Sequence, residues 1–196
     1  MSESREVVPT GAKIMAVVMI PVIAGLNYVT GVIVETLKLP IWGDTWATML
    51  GTLISGIWVG AIGGFLYNLI MAMTVWGLPA WIWGTCNIAI AIWSFMFMKL
   101  GWDDLKKPLK LIPAFLWLGF IYTIQCTAIG LYMFGAGPLP KPTAVVYFGV
   151  LSATGNQLLA YYLQNVVTEL IDKSVSWVLA LIVASRVPKR FILAKR

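Results

Sequence analysis

The sequence feature that most constrains the fold is a series of long apolar runs separated by short polar segments. The first run extends from Ile14 to about Val34, and about 20 helical residues span the ~30 Å hydrocarbon core of a bilayer. It is also longer than the apolar region of a cleavable signal peptide. Further apolar runs cover residues 49–75, 80–98, 111–134, 144–167 and 174–184.

Composition supports the same conclusion. Hydrophobic residues make up 60% of the chain and charged residues 11%, against about 25% charged in an average soluble domain. Polar side chains are too few to cover a surface in water, so lipid must solvate much of it. The sequence therefore predicts an all-α integral membrane protein, with residues 1–196 forming a single transmembrane domain.

The distribution of lysine and arginine predicts the topology. Most of the 14 basic residues lie in three groups, within residues 5–13, 99–110 and 186–196. Cytoplasmic segments are enriched in Lys and Arg, so three cytoplasmic groups require an even number of crossings between consecutive groups. Between the first two groups, residues 49–75 must then form two short spans, with a glycine-permitted turn at Gly56–Gly64. If these residues formed one span, the second basic group would lie outside.

Three apolar runs lie between the basic groups at residues 99–110 and 186–196. An even number of crossings allows only two of them to span the membrane. Residues 144–167 are interrupted by Thr154-Gly-Asn-Gln157, and non-helical backbone at membrane depth is tolerated only where protein or water satisfies it. We therefore predict a six-span helical bundle with a broken or re-entrant segment before the last helix. Both termini are expected on the cytoplasmic side of the plasma membrane.

Catalytic chemistry finds little support in the sequence. The chain contains no histidine, and Cys86 and Cys126 lie inside apolar runs, where cysteine usually behaves as a small buried hydrophobic residue. Paired carboxylates within a span, a phosphate loop and metal-ligand spacings are all missing, as is the polar stripe expected of a channel. We expect no enzymatic activity, no cofactor, no metal and no nucleic-acid partner, with membrane lipid as the surrounding medium.

Aromatic and acidic residues gather at the end that this topology makes non-cytoplasmic. Asp44 lies between Trp42 and Trp46 in the first loop, and Trp81 belongs to a tryptophan cluster around Pro79. One interpretation is an interfacial belt, because tryptophan prefers the headgroup level. The other is a ligand pocket, in which indoles stack on a flat ligand and the carboxylate accepts its N–H groups.

Amide side chains inside apolar runs supply further candidates. Asn68 and Asn87 are expected to face the bundle interior, where they hydrogen-bond to other helices or contact a ligand. Asn156 and Gln157 lie beside Gly155 in the interrupted segment, a position that suits a pocket wall.

Acidic residues near the last predicted span complete the set. Glu169 lies in an apolar context and is expected to face the same cavity. Asp172 and Lys173 are interpreted as a helix cap and a solvated ion pair just before the span at residues 174–184.

Four features of the chain resemble a known family of membrane proteins. The first is its size, 196 residues, with six predicted spans and basic termini. The stretch Gly51–Asn68 is similar to a glycine-rich turn between a short second and third helix. The ending Glu169–Arg190 resembles a last helix with a basic exit, and Ala12-Lys-Ile-Met-Ala16 fits a small-xxx-small packing pattern. The family is that of the substrate-capturing S components of energy-coupling factor (ECF) vitamin transporters.

The resemblance implies a high-affinity binder that captures a vitamin or related scarce nutrient from outside. Such a subunit docks on a coupling transmembrane protein driven by two ATPase subunits, and here Ala12 and Ala16 would face the coupling protein. The ligand-binding residues would be Asp44, Trp46, Trp81, Asn87, Asn156, Gln157 and Glu169. Aromatic rings with amides and acids favour a flat, nitrogen-containing, neutral or cationic ligand.

Two other classes remain as alternatives. In the first, the chain is a non-transport structural or assembly membrane protein whose interior amides only tie helices together. In the second, a membrane enzyme acts on lipid, which the missing catalytic set disfavours.

Overall fold

The computed structural model describes residues 10–193, and only the backbone of residues 10–13 and 190. Every regular element in this range is helical, with no strand. The α-helices are α1 (Thr10–Thr36), α2 (Trp46–Ser55), α3 (Ile57–Met71), α4 (Gly84–Leu100), α5 (Ile112–Leu116), α6 (Thr123–Phe134), α7 (Ala144–Thr154) and α8 (Gln157–Arg186). Shorter 3₁₀ segments cover Leu78–Trp83, Pro108–Leu111 and Lys189–Phe191, and π-helical segments cover Ala72–Trp76 and Trp117–Tyr122.

Four helical stretches are long and apolar enough to cross a membrane, which supports the prediction of an all-α membrane protein. They are Ile14–Thr36, Ile57–Trp76, Leu78–Leu100 and Pro108–Phe134. The apolar helices α2 and α7 are shorter than a full span. Helix α8 has 30 residues, about 45 Å at 1.5 Å per residue, but carries charged residues at its centre.

The apolar run at residues 49–75 is divided into two helices at Gly56. This residue has φ +100°, which glycine adopts without strain, and its N–H donates to the carbonyl of Thr52 at 3.1 Å. The predicted turn region was wider than the observed one, because Gly60 and Gly64 lie inside α3. There they allow close contact: a Cβ at Gly64 would meet the side chains of Thr48 and Asn87.

The predicted broken segment corresponds to the junction between α7 and α8. Gly155, with φ +65°, ends α7, and the side chain of Asn156 caps α8 by accepting from the N–H of Leu159 at 3.0 Å. The predicted boundary of the last helix was wrong, because α8 begins at Gln157 and runs unbroken to Arg186. Asp172 and Lys173 therefore lie in the middle of a helix and are buried, not at a solvated helix start.

The bundle has two chemically different ends. At one end the N–H of Leu193 donates to the carbonyl of Ile54 at 2.6 Å, and the indole of Trp177 donates to the carbonyl of Trp102 at 3.1 Å. The break at Gly56, the loop after α4 and the segment after α8 thus lie together, and they carry basic residues: Lys99, Lys106, Lys107, Lys110, Arg186 and Lys189. Helix α1 also begins at this end, and loops 37–45 and 135–143 lie at the other.

Candidate functional site

A buried lysine at the centre of α8 organises the site. Lys173 is only 2% exposed, and its Nζ donates to Asp172 Oδ2 at 2.5 Å. The same ammonium lies 3.2 Å from Glu169 Oε2, one helical turn earlier, and 3.7 Å from Asp44 Oδ1 in loop 37–45. Three carboxyl groups from two distant parts of the sequence therefore surround one cation.

Asp172 also fixes loop 37–45 against α8. Its Oδ1 accepts from the backbone N–H of Trp42 at 3.1 Å and of Gly43 at 2.9 Å. Gly43 has φ +68°, and a Cβ at this position would clash with the side chain of Val34. Charge-assisted hydrogen bonds from two backbone N–H groups fix the orientation of the loop. Asp44, the next residue, is thereby held near Lys173.

The other two acids beside Lys173, Asp44 and Glu169, have different surroundings from Asp172. Glu169 Oε2 is held by the Lys173 ammonium at 3.2 Å, whereas Asp44 Oδ1 lies 3.7 Å from it and has no hydrogen-bond donor among the described residues. The Glu169 residue is 3% exposed. Burial raises the pKa of Asp44 above its ordinary value of 3.8, because loss of water outweighs the attraction of Lys173.

These acids line a cavity of about 490 Å³ at the end of the bundle opposite the basic residues. That volume lies within the ~300–1,000 Å³ typical of sites for small ligands. Its walls include seven aromatic side chains: Trp42, Tyr67, Trp76, Trp83, Tyr122, Phe134 and Tyr161. Trp83 and Phe134 stack nearly parallel, with an angle of 8° between their rings.

Amide side chains supply the neutral polar part of the wall. Asn87 Oδ1 accepts from Thr48 Oγ1 at 2.6 Å, and Thr48 in turn accepts from Asn27 Nδ2 at 2.9 Å. This chain of bonds links α4, α2 and α1. Asn68 and Asn165 also line the cavity, and each donates to a carbonyl one turn earlier on its own helix. The amides are thus both structural and accessible to a ligand.

A second lysine lies at the rim of the cavity. Lys141 Nζ donates to the carbonyl of Ile41 at 2.8 Å and lies 4.4 Å from the ring centre of Trp42. Partial burial lowers the pKa of Lys141. Loop 135–143 is thereby connected to loop 37–45 across the entrance.

Three of the seven predicted binding residues line this cavity: Asp44, Asn87 and Glu169. They come from loop 37–45, α4 and α8, and only the fold brings them together.

The structure places the other four predicted residues outside the cavity lining. Trp46 packs against the core and donates its indole N–H to Thr30 Oγ1 at 3.0 Å. Trp81 is 47% exposed and contacts Phe65 edge-on, while its neighbour Trp83 lines the cavity. Asn156 and Gln157 are exposed at the start of α8, where they cap the helix and bind the carbonyl of Ala136.

The sequence interpretation missed Lys173 as the central residue of the site. A signal existed: Glu169, Asp172 and Lys173 recur at helical spacing within an apolar stretch, and ionisable residues in such stretches are costly unless they serve a function. The aromatic wall residues Tyr67, Tyr122 and Tyr161 had no comparable signal. Cys86 and Cys126 also line the wall, with their Sγ atoms 3.8 Å apart.

Of the proposed coupling residues, Ala12 belongs to α1 but its side chain is outside the described residues. Ala16 is half-buried and packs against the hydrophobic cluster that contains Ile23, Ala47 and Val59. Within residues 10–193 no group of three or more His, Cys, Asp or Glu side chains could hold a metal ion.

Comparisons with protein-family models, with curated proteins and with solved structures gave no match to this chain.

Proposed function

We propose that this chain is the substrate-capture subunit (S component) of an ECF-type importer, which binds a vitamin or related small nutrient from outside. The observation that carries the proposal is the aromatic, acid-containing cavity at the end of the bundle opposite the basic residues. A binding protein needs such a cavity, whereas a purely structural protein gains nothing from buried carboxylate oxygens that accept no hydrogen bond. Asp44 Oδ1 is such an oxygen.

In this proposal the chain crosses the plasma membrane six times. The crossings are α1, α2, α3 with its π-helical extension, α4, the stretch Pro108–Phe134 and α8. Helix α7 lies at the outer end without crossing. The basic end then faces the cytoplasm, in agreement with the enrichment of Lys and Arg there, and the cavity opens to the outside.

Delivery of the ligand would need a coupling transmembrane protein and two ATPase subunits. The small side chains of Ala12 and Ala16 would form the contact on α1, because small residues let helices approach closely. Exposed apolar side chains such as Val17 and Val18 lie on the same part of α1, and they provide area for such a contact.

Ligand retention tests the capture function directly. The protein is purified gently in a lipid nanodisc and examined by native mass spectrometry for a bound small molecule, and its melting temperature is measured against a panel of water-soluble vitamins. We expect a retained ligand or a saturable rise in Tm. If no mass is retained and no vitamin changes Tm, the cavity has no capture function, and the structural or assembly role becomes the better account.

The coupling contact needs a different readout. Ala16→Trp should abolish uptake in cells that express the coupling protein and ATPases, while ligand binding by the purified protein remains. Val29→Trp is the matched control, because Val29 is 55% exposed on the same helix, nearer the cavity end. Equal uptake in the two variants would contradict the assignment of Ala16.

A further inference from the structure

The cavity and its immediate surroundings hold more carboxyl groups than amino groups. Glu35, Asp44 and Glu169 line it, and Asp172 lies directly behind Lys173, whereas Lys141 and Lys173 are its basic side chains. Glu35 is exposed, so three carboxyl groups (Asp44, Glu169 and Asp172) face two ammonium groups among the buried and partly buried residues of the described chain. Removing charge from water is expensive unless it is paired, so an excess of acids in a partly closed cavity requires an explanation.

Neither lysine removes this excess. The ammonium of Lys173 makes its short bond to Asp172, which is fully buried and also holds two backbone N–H groups. Lys141 is engaged by the carbonyl of Ile41 and the face of Trp42 at the rim. As a result, one ammonium serves three acids: it lies 3.2 Å from Glu169 Oε2, and Asp44 Oδ1, at 3.7 Å, has no donor among the described residues.

The position of Glu169 distinguishes this arrangement from a surface acidic cluster. Its side chain is 4% exposed, it lines the cavity, and it shares the Lys173 ammonium with two other acids. Asp44 Oδ1, without a donor among the described residues, lies near the same lysine. Both residues line the cavity, so their carboxyl groups can accept from a donor that arrives there.

The aromatic walls define the rest of the ligand. Tyr67 and Trp76 meet edge-on with ring centres 6.4 Å apart, and Trp83 stacks on Phe134. Aromatic faces attract cations as well as flat rings, because the face of each ring is electronegative. Aromatic walls together with the two carboxyl groups suit a ligand that is both flat and positively charged.

We propose that the ligand is an organic cation: a flat ring bearing a protonated amine or amidine, whose N–H groups bind Asp44 and Glu169 while the ring lies against the aromatic walls. This inference rests on the proposed capture function and narrows its ligand from neutral or cationic to cationic. A neutral ligand would leave the charge excess in place, and an anion would increase it.

A set of three shape-matched probes tests the charge preference. Benzamidine (a cation at pH 7), benzamide and benzoate have nearly the same ring and size but different charge. Binding of each to the full chain in nanodiscs is measured by calorimetry and by the shift in Tm. We expect benzamidine to bind at least about tenfold more tightly than benzamide, since charge-assisted hydrogen bonds are about twice as strong as neutral ones, and benzoate not to bind.

Two variants test whether Asp44 and Glu169 cause the preference for a cationic ligand. Glu169→Gln should reduce benzamidine affinity about tenfold and leave benzamide affinity nearly unchanged. This variant should still fold, because Asp172 remains the closest partner of Lys173. Asp44→Asn should have the same effect and supplies a second test if Glu169→Gln does not fold. Asp104→Asn is the matched control, since Asp104 accepts from the N–H of Lys106 in the loop after α4, away from the cavity.

The proposal is overturned if benzamide or benzoate binds as tightly as benzamidine, if none of the three binds at millimolar concentration, or if the Asp44 and Glu169 variants behave like Asp104→Asn. Its failure is separable from that of the capture function. Coupled uptake of a neutral or anionic nutrient would overturn only the cation inference. Charge-selective binding by a chain that supports no uptake in the presence of the coupling protein would overturn only the transporter assignment.

Discussion

The two aspartates beside Lys173 have the same side chain but different surroundings. Asp172 accepts two backbone N–H groups and the lysine ammonium, so its charge is compensated on both oxygens. Asp44 has one oxygen with no donor among the described residues. We infer that Asp172 stabilises the fold and that Asp44 is kept at some cost for binding, a common division at functional sites.

Asp172→Ala should destabilise the protein by about 3–5 kcal/mol, the cost typical of removing one partner from a buried ion pair. The N–H groups of Trp42 and Gly43 would also lose their acceptor. Thermal unfolding of the purified protein measures the effect as a fall in Tm, and Asp172→Asn, which keeps an acceptor, should fall less. An unchanged Tm for Asp172→Ala would contradict the structural role.

Asp44→Asn should have the opposite effect on the ligand-free protein. Burial raises the pKa of Asp44 above 3.8, so the carboxyl favours folding when protonated, and this contribution is lost as the pH rises through the raised pKa. At pH 7 the asparagine variant should therefore melt higher than the parent, by about 2–4 °C for each 1 kcal/mol gained. Below pH 3.8 the two Tm values should converge. A lower Tm for the variant at pH 7 would show that the attraction of Lys173 outweighs desolvation.

At the scale of elements, the contact between α2 and α3 depends on a glycine. A Cβ at Gly60 would lie 2.7 Å from the carbonyl oxygen of Thr48 and would also collide with Thr52 Oγ1. The carbonyl belongs to the backbone of α2 and cannot rotate away. Because α2 also packs against α8 and carries Thr48 to Asn87, separation of α2 from α3 would disturb the cavity wall.

Gly60→Ala should therefore destabilise the bundle by about 1–3 kcal/mol, the usual cost of overpacking a well-filled contact. Gly25→Ala is the matched control, since a Cβ at Gly25 in α1 meets nothing within 4 Å and alanine favours a helix more than glycine does. Tm and the monodispersity of the detergent-solubilised protein report the difference. Similar behaviour of the two variants would contradict the close α2–α3 contact.

At the scale of the whole molecule, the separation of basic and cavity ends predicts sidedness. Three elements, α2, α3 and α4, lie between Leu37 at the cavity end and Lys107 at the basic end. If each crosses, the two residues face opposite sides of the membrane. If residues 49–75 form only one crossing, both face the same side.

Single cysteines at these two positions distinguish the two cases. Leu37→Cys and Lys107→Cys, both at exposed positions, are treated in intact cells with a membrane-impermeant maleimide, and the parent with its two buried cysteines is the blank. We expect labelling of Leu37→Cys from outside and of Lys107→Cys only after permeabilisation. Labelling of both from one side would rule out the six-span arrangement.

Much of the helical architecture was predictable because its causes are local. Apolar runs must form helices in lipid, since only these satisfy every backbone group within the segment, and Gly56 breaks its run for a conformational reason. The site was predictable only in part. Placing the start of the last helix at Ser174 instead of Gln157 put Asp172 and Lys173 at the surface, because a helical face can be assigned only within an unbroken helix.

Residues that are close in sequence also lie in different parts of the structure, and composition does not determine which residue lies where. Trp42 lines the cavity and Trp46, four residues later, packs in the core. The interrupted segment was correctly predicted as a break. Its amides, Asn156 and Gln157, serve as a helix cap and a loop contact and do not line the cavity. Long-range packing of loop 37–45 on α8 decides which polar residues meet, and that packing has no local signature.

The charged centre of α8 has a consequence for biogenesis. In the proposed arrangement α8 crosses the membrane with Glu169, Asp172 and Lys173 near its middle, and a charged residue at the centre of an isolated helix costs about 2.5–3.5 kcal/mol on insertion scales. Alone, α8 would be a poor substrate for the translocon. Loop 37–45, synthesised long before it, supplies the backbone N–H groups of Trp42 and Gly43 that stabilise the Asp172 carboxylate. If α8 crosses as proposed, we therefore expect its stable insertion to depend on contact with the first loop.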